Sequence, residues 1–166
     1  MPDTPHPETV YPDLDHEQYT ERAIELAREA AARGDDPYGS LLVDPDAPDG
    51  PTVVREARNA VITESDLREH PELHLAEWAG RELDPAVRGR TIMYTSTEPC
   101  PMCAGGIRIA GLAAVVHSVS AERAAELAGH DDAHPSRLVY ADTGADVQSL
   151  GPVLPEAGAA VHRDHR

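Results

Sequence analysis

Apolar and polar residues follow one another along this chain first with a helical and then with a strand period. Residues 15–33 have apolar positions three and four apart, and Gly34 follows them, so they predict a helix that ends at this glycine. Two short apolar runs, residues 40–43 and 52–54, flank the Asp-, Pro- and Gly-rich segment 44–51. This arrangement predicts a β-hairpin.

The remainder of the chain predicts helices and strands in alternation. The expected elements are helices at residues 71–83, 101–110 and 121–128, strands at 91–95 and 113–117, a candidate fifth strand at 138–140, and a short helix after Pro155. Alternation of this kind places helices on both faces of one sheet. We therefore predict an α/β fold, a three-layer α/β/α sandwich around one mixed five-stranded sheet.

The length of 166 residues and the apolar content of 40% predict one compact domain with a single core. Residues 1–14 are acidic and contain four prolines, so we expect a flexible leader before a single domain over residues 15–166. The chain has no run of about 18 apolar residues, and its N-terminus lacks the basic and apolar stretches of a secretory signal. We expect a cytoplasmic protein that does not span a membrane.

The charge is strongly negative, with 30 acidic against 14 basic residues and a net charge of −16. Every basic residue is an arginine. This composition resembles that of proteins from salt-adapted organisms, so we expect a halophilic protein. Nucleic-acid affinity comes largely from cationic side chains that neutralise phosphates. The composition therefore favours a small-molecule substrate over tRNA or DNA, although salt adaptation would also remove charge from a genuine nucleic-acid-binding protein.

Candidate metal ligands lie in a His-x-Glu segment at residues 70–72 and a Pro-Cys-x-x-Cys segment at residues 99–103. A catalytic zinc takes three protein ligands and keeps a fourth position for water, and His70, Cys100 and Cys103 supply one imidazole and two thiolates. His70 and Cys100 each precede a proline, so each is expected just ahead of a helix start. The positive helix ends would favour thiolate and bound hydroxide. Cys103 returns to the same face after one turn.

These two segments resemble the zinc-binding motifs of the cytidine/deoxycytidylate deaminase superfamily. Asn59 lies eleven residues before His70, and Cys100 lies thirty residues after it. Both intervals are similar to those of the branch that holds guanine deaminases, yeast-type cytosine deaminases and tRNA adenosine deaminases. The resemblance implies one Zn²⁺ per chain, hydrolytic deamination of a nucleobase or nucleoside, and a homodimer.

Roles for the remaining residues follow from this resemblance and from their positions. Glu72 is expected to take a proton from the zinc-bound water and pass it to a ring nitrogen and then to the departing amine. The zinc-bound hydroxide would attack the ring carbon that bears the amine. Asn59 resembles the family's asparagine that hydrogen-bonds the base, and Tyr38 is expected to line the pocket.

The choice of base depends on a weaker similarity. The sequence Gly-His-Asp-Asp at residues 129–132 resembles the Gly-Phe-Asp-Asp of guanine deaminases, in which a C-terminal segment exchanged between subunits offers an aspartate to the base. Asp131 is therefore a candidate substrate contact and residues 129–166 a candidate lid or exchanged segment. Alternatively, Asp131 and Asp132 are surface residues that end a helix. Guanine or a related purine ranks first, then cytosine or another pyrimidine, then tRNA adenosine.

Other interpretations of the metal-binding residues also remain open. A second segment, His-Leu-Ala-Glu at residues 74–77, is similar to the family's motif but has an extra residue between His and Glu. His70 and His74, four residues apart, would form a closed Cys2His2 structural site with Cys100 and Cys103. That module leaves Glu72 without a role. A redox Cys-x-x-Cys pair leaves the whole His-x-Glu segment without one.

Overall fold

The computed structural model describes residues 4–165, so residues 1–3 of the predicted leader and residue 166 of the predicted domain lie outside the described residues. The helices are α1 (His16–Arg33), α2 (Val61–Glu64), α3 (Pro71–Glu82), α4 (Pro85–Arg88), α5 (Pro101–Ala110), α6 (Ala121–Ala128), α7 (Ser136–Thr143) and α8 (Pro155–Asp164). The strands are β1 (Gly39–Asp44), β2 (Thr52–Arg58), β3 (Ile92–Thr97), β4 (Ala114–Val119) and β5 (Gln148–Leu150). Two short 3-10 helices cover Pro7–Thr9 and Leu67–Glu69.

The strands form one mixed sheet in the order β2-β1-β3-β4-β5. Strand β1 pairs antiparallel with β2 and β3, whereas β4 pairs parallel with β3 and β5. Successive residues point to opposite faces, so Leu42 and Met93 join a core with α3, α5 and α7, while Leu41 and Tyr94 join another core beneath α1. Helix α8 also covers this second face, through its contacts with α1 and β4. The predicted three-layer sandwich around a mixed five-stranded sheet is confirmed.

Four segments of the chain meet at one edge of this sheet. The parallel strands β3 and β4 both end there, and the antiparallel pairing of Gly39 with Arg58 brings the start of β1 and the end of β2 to the same edge. The backbone N–H of Asn59 donates to the carbonyl oxygen of Tyr38 at 2.9 Å, which joins the two outer segments. Open α/β sheets bind ligands beyond the carboxyl ends of their strands, so a ligand-binding site is expected at this edge.

Two predicted strands differ from the structure. The prediction of a strand at residues 138–140 is wrong, because these residues lie in α7, and the fifth strand is β5. A three-residue apolar run fits a helix or a strand equally well by periodicity. The hairpin strand predicted at residues 52–54 is correct in type but extends to Arg58. The additional residues are mostly exposed, so they give no apolar signal, yet they pair with β1.

The two ends of the described chain lie against the domain. Val10, Tyr11 and Leu14 of the predicted leader pack on the core beneath α1, and the carbonyl oxygen of Tyr11 lies 2.8 Å from His16 Nε2. At the other end, residues 129–165 contribute α7, β5 and α8 to the same subunit. Exchange of this segment between subunits stays a prediction. Among the described residues, no helix has the length and apolar character to span a membrane.

Candidate active site

Two proline-led helix starts position the candidate metal ligands. His70 is the N-cap of α3 and Cys100 the N-cap of α5, both with extended backbone, and Pro71 and Pro101 occupy the first helical positions. Proline disfavours a helical conformation in the residue before it and suits the first turn itself. His70 and Cys100 therefore lie at the positive ends of two helix dipoles, as the sequence predicts.

The predicted ligand atoms come together as a triangle. Cys100 Sγ lies 3.5 Å from Cys103 Sγ, and His70 Nδ1 lies 3.9 Å from the first sulfur and 3.6 Å from the second. A tetrahedral zinc with ordinary Zn–S and Zn–N bonds sets its ligand atoms roughly 3.6 to 3.8 Å apart. The three atoms therefore fit a single zinc ion. Among the described residues these three form the group that is close enough to hold a metal.

The two thiols interact strongly. The hydrogen bond between Cys103 and Cys100 lowers the pKa of Cys100 to about 4, and His70 acts in the same direction. The same hydrogen bond raises the pKa of Cys103, because its proton is held between the two sulfurs. Cys100 therefore offers a thiolate at neutral pH, and a coordinated metal ion favours loss of the second proton as well.

Glu72 lies beside this triangle in the first turn of α3. Its side chain is buried, with a residue exposure of 4%. Thr95 Oγ1 donates to Glu72 Oε1 at 3.1 Å, and Glu72 Oε2 lies 3.8 Å from Cys103 Sγ. Burial raises the pKa of the Glu72 carboxyl to about 7. The carboxyl group thus has one oxygen held by the sheet and the other directed toward the ligand cluster.

Asn59 lies next to Tyr38 through the backbone hydrogen bond between them, but Tyr38 is the one of the two that lines the pocket. Asn59 is 1% exposed, and its Oδ1 accepts a hydrogen bond from the backbone N–H of Val61 at 3.1 Å. Its Nδ2 has no hydrogen-bond partner within the described protein. Tyr38 lines the pocket, and its ring meets that of His162 edge-on at 5.6 Å between centroids.

A pocket of about 330 Å³ opens over the cluster. Half of the residues that line it belong to α6 and the loop that follows, and no arginine is among its described lining residues. The predicted contact Asp131 is exposed and does not line the pocket, whereas its neighbour Asp132 does. The residues of this half of the wall are Ala121, Ala124, Ala125, Ala128, His130, Asp132, Ala133 and His134.

Several residues of the site are not identified by the sequence analysis. Thr95 and Thr97 come from β3, and the Oγ1 of Thr97 lies 2.8 Å from Nε2 of His162 in α8. The four alanines of α6 are spaced so that they share one helix face, and that spacing was an available signal for a smooth pocket wall. Contacts such as that of Thr97 with His162 join residues far apart in sequence, so no local pattern predicts them.

His74 lies outside the ligand cluster. Its Nδ1 is 3.3 Å from a carboxylate oxygen of Glu69, and its side chain is partly exposed. Of the two histidine segments, the structure therefore brings His70 to the cysteines. A closed site of two cysteines and two histidines is not formed by the described residues.

This sheet, with one imidazole, two thiols and a buried carboxyl group at its edge, defines the class of zinc-dependent hydrolytic deaminases. A family model described as the cytidine and deoxycytidylate deaminase zinc-binding region matches residues 14–119. The chain belongs to this family, and zinc is its cofactor.

Several of the relatives with known names are deaminases, and others are tRNA(Ile)-lysidine synthases. The chain is 36% identical to the guanine deaminase of Bacillus subtilis (strain 168) over 120 residues, 72% of this chain and 73% of the relative. It is 26% identical to the probable cytosine deaminase of Schizosaccharomyces pombe over 153 residues, 87% of this chain and 88% of the relative. A guanine deaminase structure from Nitrosomonas europaea has a TM-score of 0.72 at 17% identity, and the match covers 90% of this chain and 83% of that chain. That likeness supports the fold.

Proposed function

We propose that this enzyme deaminates a free nucleobase or nucleoside, with guanine or a related purine as the first candidate. The reaction replaces the ring C–NH₂ with C=O, consumes water and releases ammonia. The observation that carries the proposal is the position of the buried Glu72 carboxyl group beside the triangle of His70, Cys100 and Cys103.

Each side chain of the site has a separate role in the proposed reaction. Zinc held by His70, Cys100 and Cys103 would supply, when bound, the activation of a water molecule. Glu72 takes a proton at Oε2, because Oε1 already accepts the hydrogen bond from Thr95. It then delivers protons to a ring nitrogen and to the departing amine, which leaves as ammonia. The hydrogen bond from Thr95 keeps the carboxyl group in one orientation during both transfers.

Asn59 acts as a hydrogen-bond donor to the substrate in this proposal. Its Oδ1 is occupied by the N–H of Val61, so only the amide Nδ2 is available. A buried donor without a partner is costly, and a base that presents an acceptor beside it removes that cost. Ring carbonyl oxygens and ring nitrogens of purines and pyrimidines both provide such an acceptor.

The pocket favours a small base without a phosphate group. Its volume of about 330 Å³ is at the lower end of the range for small-molecule sites, roughly 300 to 1,000 Å³. The lining residues offer no arginine for a phosphate, whereas the Asp132 carboxylate offers an acceptor for N–H groups. Guanine carries N–H donors that cytosine lacks, and the similarity to a guanine deaminase points the same way. Cytosine is the second candidate because of the similarity to a probable cytosine deaminase.

A tRNA substrate is the third candidate. The net charge of −16 disfavours a polyanion, and most of the arginines are already paired with carboxylates of the same chain. A phosphate backbone would have to compete with those carboxylates for each guanidinium group. A free base makes no such demand.

The proposal is tested by ammonia release from the zinc-loaded protein against guanine, cytosine, their nucleosides and tRNA, at low and at molar salt. We expect guanine to be the best substrate and Glu72→Gln to lower kcat by about a thousandfold, since positioned acid–base groups contribute about 10² to 10⁴. Glu77→Gln is the matched control, because Glu77 lies on the exposed side of the same helix α3.

Glu77→Gln should retain full activity, and both variants should bind one zinc per chain. Equal activity of Glu72→Gln and the wild type would contradict the role given to Glu72. Release from tRNA alone would contradict the small-molecule substrate.

A further inference from the structure

Glu98 is a buried carboxylate next to the metal-ligand segment and has no role in the chemistry described above. It follows β3 directly and precedes the Pro-Cys pair at residues 99 and 100. Its exposure is 6%. Such a group is costly to bury without partners, so the donors that reach it indicate what it does.

The donors to Glu98 come from two other helices. Oε2 accepts the backbone N–H of Ala121 at 2.9 Å, and Oε1 accepts both the backbone N–H and the hydroxyl group of Ser136 at 2.8 Å each. Ala121 is the first residue of α6, and Ser136 is the first residue of α7. One carboxylate therefore binds the N-terminal ends of two helices, where free N–H groups and the helix dipoles favour a negative charge.

These two helix starts enclose half of the pocket wall. The residues between them are α6 and the loop 129–135, which contribute the alanine face together with His130, Asp132 and His134. An ion pair also joins the two helices directly, between Arg137 and Glu122 at 3.0 Å, and it is partly exposed. Exposed pairs contribute little to stability. The buried contacts of Glu98 are therefore the stronger restraint on this wall.

We propose that Glu98 is a positioning residue that fixes the pocket wall formed by the alanine face of α6 and the loop 129–135 over the metal centre and thereby sets the affinity for the base. The proposal rests on the proposed function, because it assigns the substrate to this pocket. Glu98 is itself among the residues that line the pocket, but both of its carboxylate oxygens are engaged by Ala121 and Ser136, so we assign its effect to the wall.

The chemistry of a carboxylate is needed for this task. Both of its oxygens accept hydrogen bonds, and it has no donor that would repel an N–H group. In Glu98→Gln the amide oxygen can keep the bonds to Ser136, but the NH₂ group then faces the N–H of Ala121. The variant keeps the size of the side chain and loses the restraint on one end of the wall.

The test compares Glu98→Gln, Ser136→Ala and the control Glu126→Gln in the zinc-loaded protein, on the base that the wild type turns over best. We expect Glu98→Gln to raise KM about tenfold, the effect of losing one hydrogen bond to a charged group. We expect kcat and zinc content to stay near the wild-type values, since binding rather than the chemical step is affected. Ser136→Ala should show a smaller rise, and Glu126, which is exposed on α6, should be replaceable without effect.

Trypsin provides a second readout that does not depend on turnover. Arg137 lies in the first turn of α7, next to the Ser136 contact, so loss of the restraint should speed cleavage at Arg137 in Glu98→Gln. The control should be cleaved at the wild-type rate.

Unchanged KM and unchanged cleavage in Glu98→Gln would overturn the proposal, and so would a loss of kcat at constant KM. If Glu98→Gln does not fold, Ser136→Ala decides in the same way. If the wild type turns over no base, the proposed function fails, and the cleavage rates still show whether Glu98 holds the wall.

Discussion

At the scale of single residues, the contacts of Thr95 show how the sheet supports Glu72, the proposed acid–base group. Ser40 Oγ donates to Thr95 Oγ1 at 2.9 Å, and the hydroxyl proton of Thr95 in turn has two acceptors within reach, Glu72 Oε1 at 3.1 Å and the carbonyl oxygen of Thr97 at 3.0 Å. All four residues are buried. The relay of hydroxyl groups joins β1 and β3 to the first turn of α3, so the orientation of Glu72 depends on two strands as well as on its own helix.

Replacement of Thr95 by valine tests this support. Thr95→Val keeps the shape of the side chain and removes the donor to Glu72, so we expect kcat to fall about tenfold, the effect of a hydrogen bond to a carboxylate. Zinc content should not change. Thr91→Val is the control, because Thr91 is also buried and hydrogen-bonded but lies at the other end of β3. Equal kcat values for Thr95→Val and the wild type would show that Glu72 needs no such support.

His117 makes the stability of the fold depend on pH. The residue is buried in β4, its Nδ1 has no hydrogen-bond partner among the described residues, and burial lowers its pKa. The unfolded chain, with a histidine pKa of about 6.5, therefore takes up a proton before the folded chain does. The contribution of His117 to stability is therefore complete above about pH 6.5. It is lost as the pH falls from there toward the lower pKa of the folded state.

We expect the free energy of unfolding of the wild type to fall more steeply between pH 7 and pH 5.5 than that of His117→Gln. Urea denaturation at constant salt measures the difference. His6→Gln is the control, since His6 is exposed and should leave the slope unchanged. Parallel curves for the wild type and His117→Gln would contradict the account.

The sequence predicts the metal ligands well because their geometry is local. A proline after His70 and after Cys100 starts each helix, and Cys103 follows after one turn, so short-range rules suffice. Loop residues are less predictable, because the path of residues 129–135 depends on what they pack against. The sequence favours Asp131, whereas Asp132 is the aspartate of this loop that lines the pocket of its own subunit; a contact of Asp131 with the base stays a prediction.

At the scale of elements, α8 links the C-terminal end of the chain to the site. A Cβ atom on Gly158 would lie 2.5 Å from Ser118 Oγ and 2.7 Å from Val119 Cγ2, so the glycine lets the helix approach β4 closely. The same helix carries His162, which contacts Thr97 and Tyr38 of the pocket. The distance between α8 and β4 therefore influences the pocket wall.

Alanine substitutions in two helices test this dependence. Gly158→Ala should lower the free energy of unfolding by about 1 to 3 kcal/mol, because overpacking forces α8 away from β4. Displacement of His162 should also raise KM. Gly80→Ala is the control, since nothing lies within 4 Å of its added Cβ, and it should gain about 0.5 to 1 kcal/mol from helix propensity. Urea denaturation and KM for the best base are the measurements, and equal stability of both variants would contradict the packing argument.

Element types are easier to derive from the sequence than their partners. Helices α1, α3, α5 and α6 follow from apolar spacing, capping residues and prolines. Helix α7 is missed because its first N–H group, that of Ser136, is bound by Glu98, a residue 38 positions earlier in the chain. The apolar run at residues 138–140 gives no indication that this distant carboxylate starts a helix.

At the scale of the whole molecule, the charge governs the response to salt. Thirty acidic residues face 14 arginines, so the folded chain carries an excess of like charge that repels itself. Salt shortens the range of this repulsion, from about 10 Å at 0.1 M to about 3 Å at 1 M.

We therefore expect the Tm to rise as KCl increases from about 0.05 to 1 M, a range over which charges on the surface become screened. Differential scanning calorimetry provides the measurement. Activity on a free base should not fall over the same range, because an uncharged substrate has no phosphate contacts to lose. A Tm that stays constant or falls would show that the surface carboxylates are already balanced by their arginine partners.

The half of the pocket wall that α6 and the following loop form begins where the family match ends. The matched region covers residues 14–119 and contains the three ligands, Glu72, Asn59 and Tyr38, whereas the alanine face and the acidic loop come from residues 121–134. In the proposed function, the residues that carry the chemistry and half of the residues that line the pocket thus lie in consecutive stretches of the chain, with the boundary near Ser120. Replacement of the second stretch alone is expected to change the preferred base and keep the reaction, provided that the new stretch still presents two helix starts to Glu98.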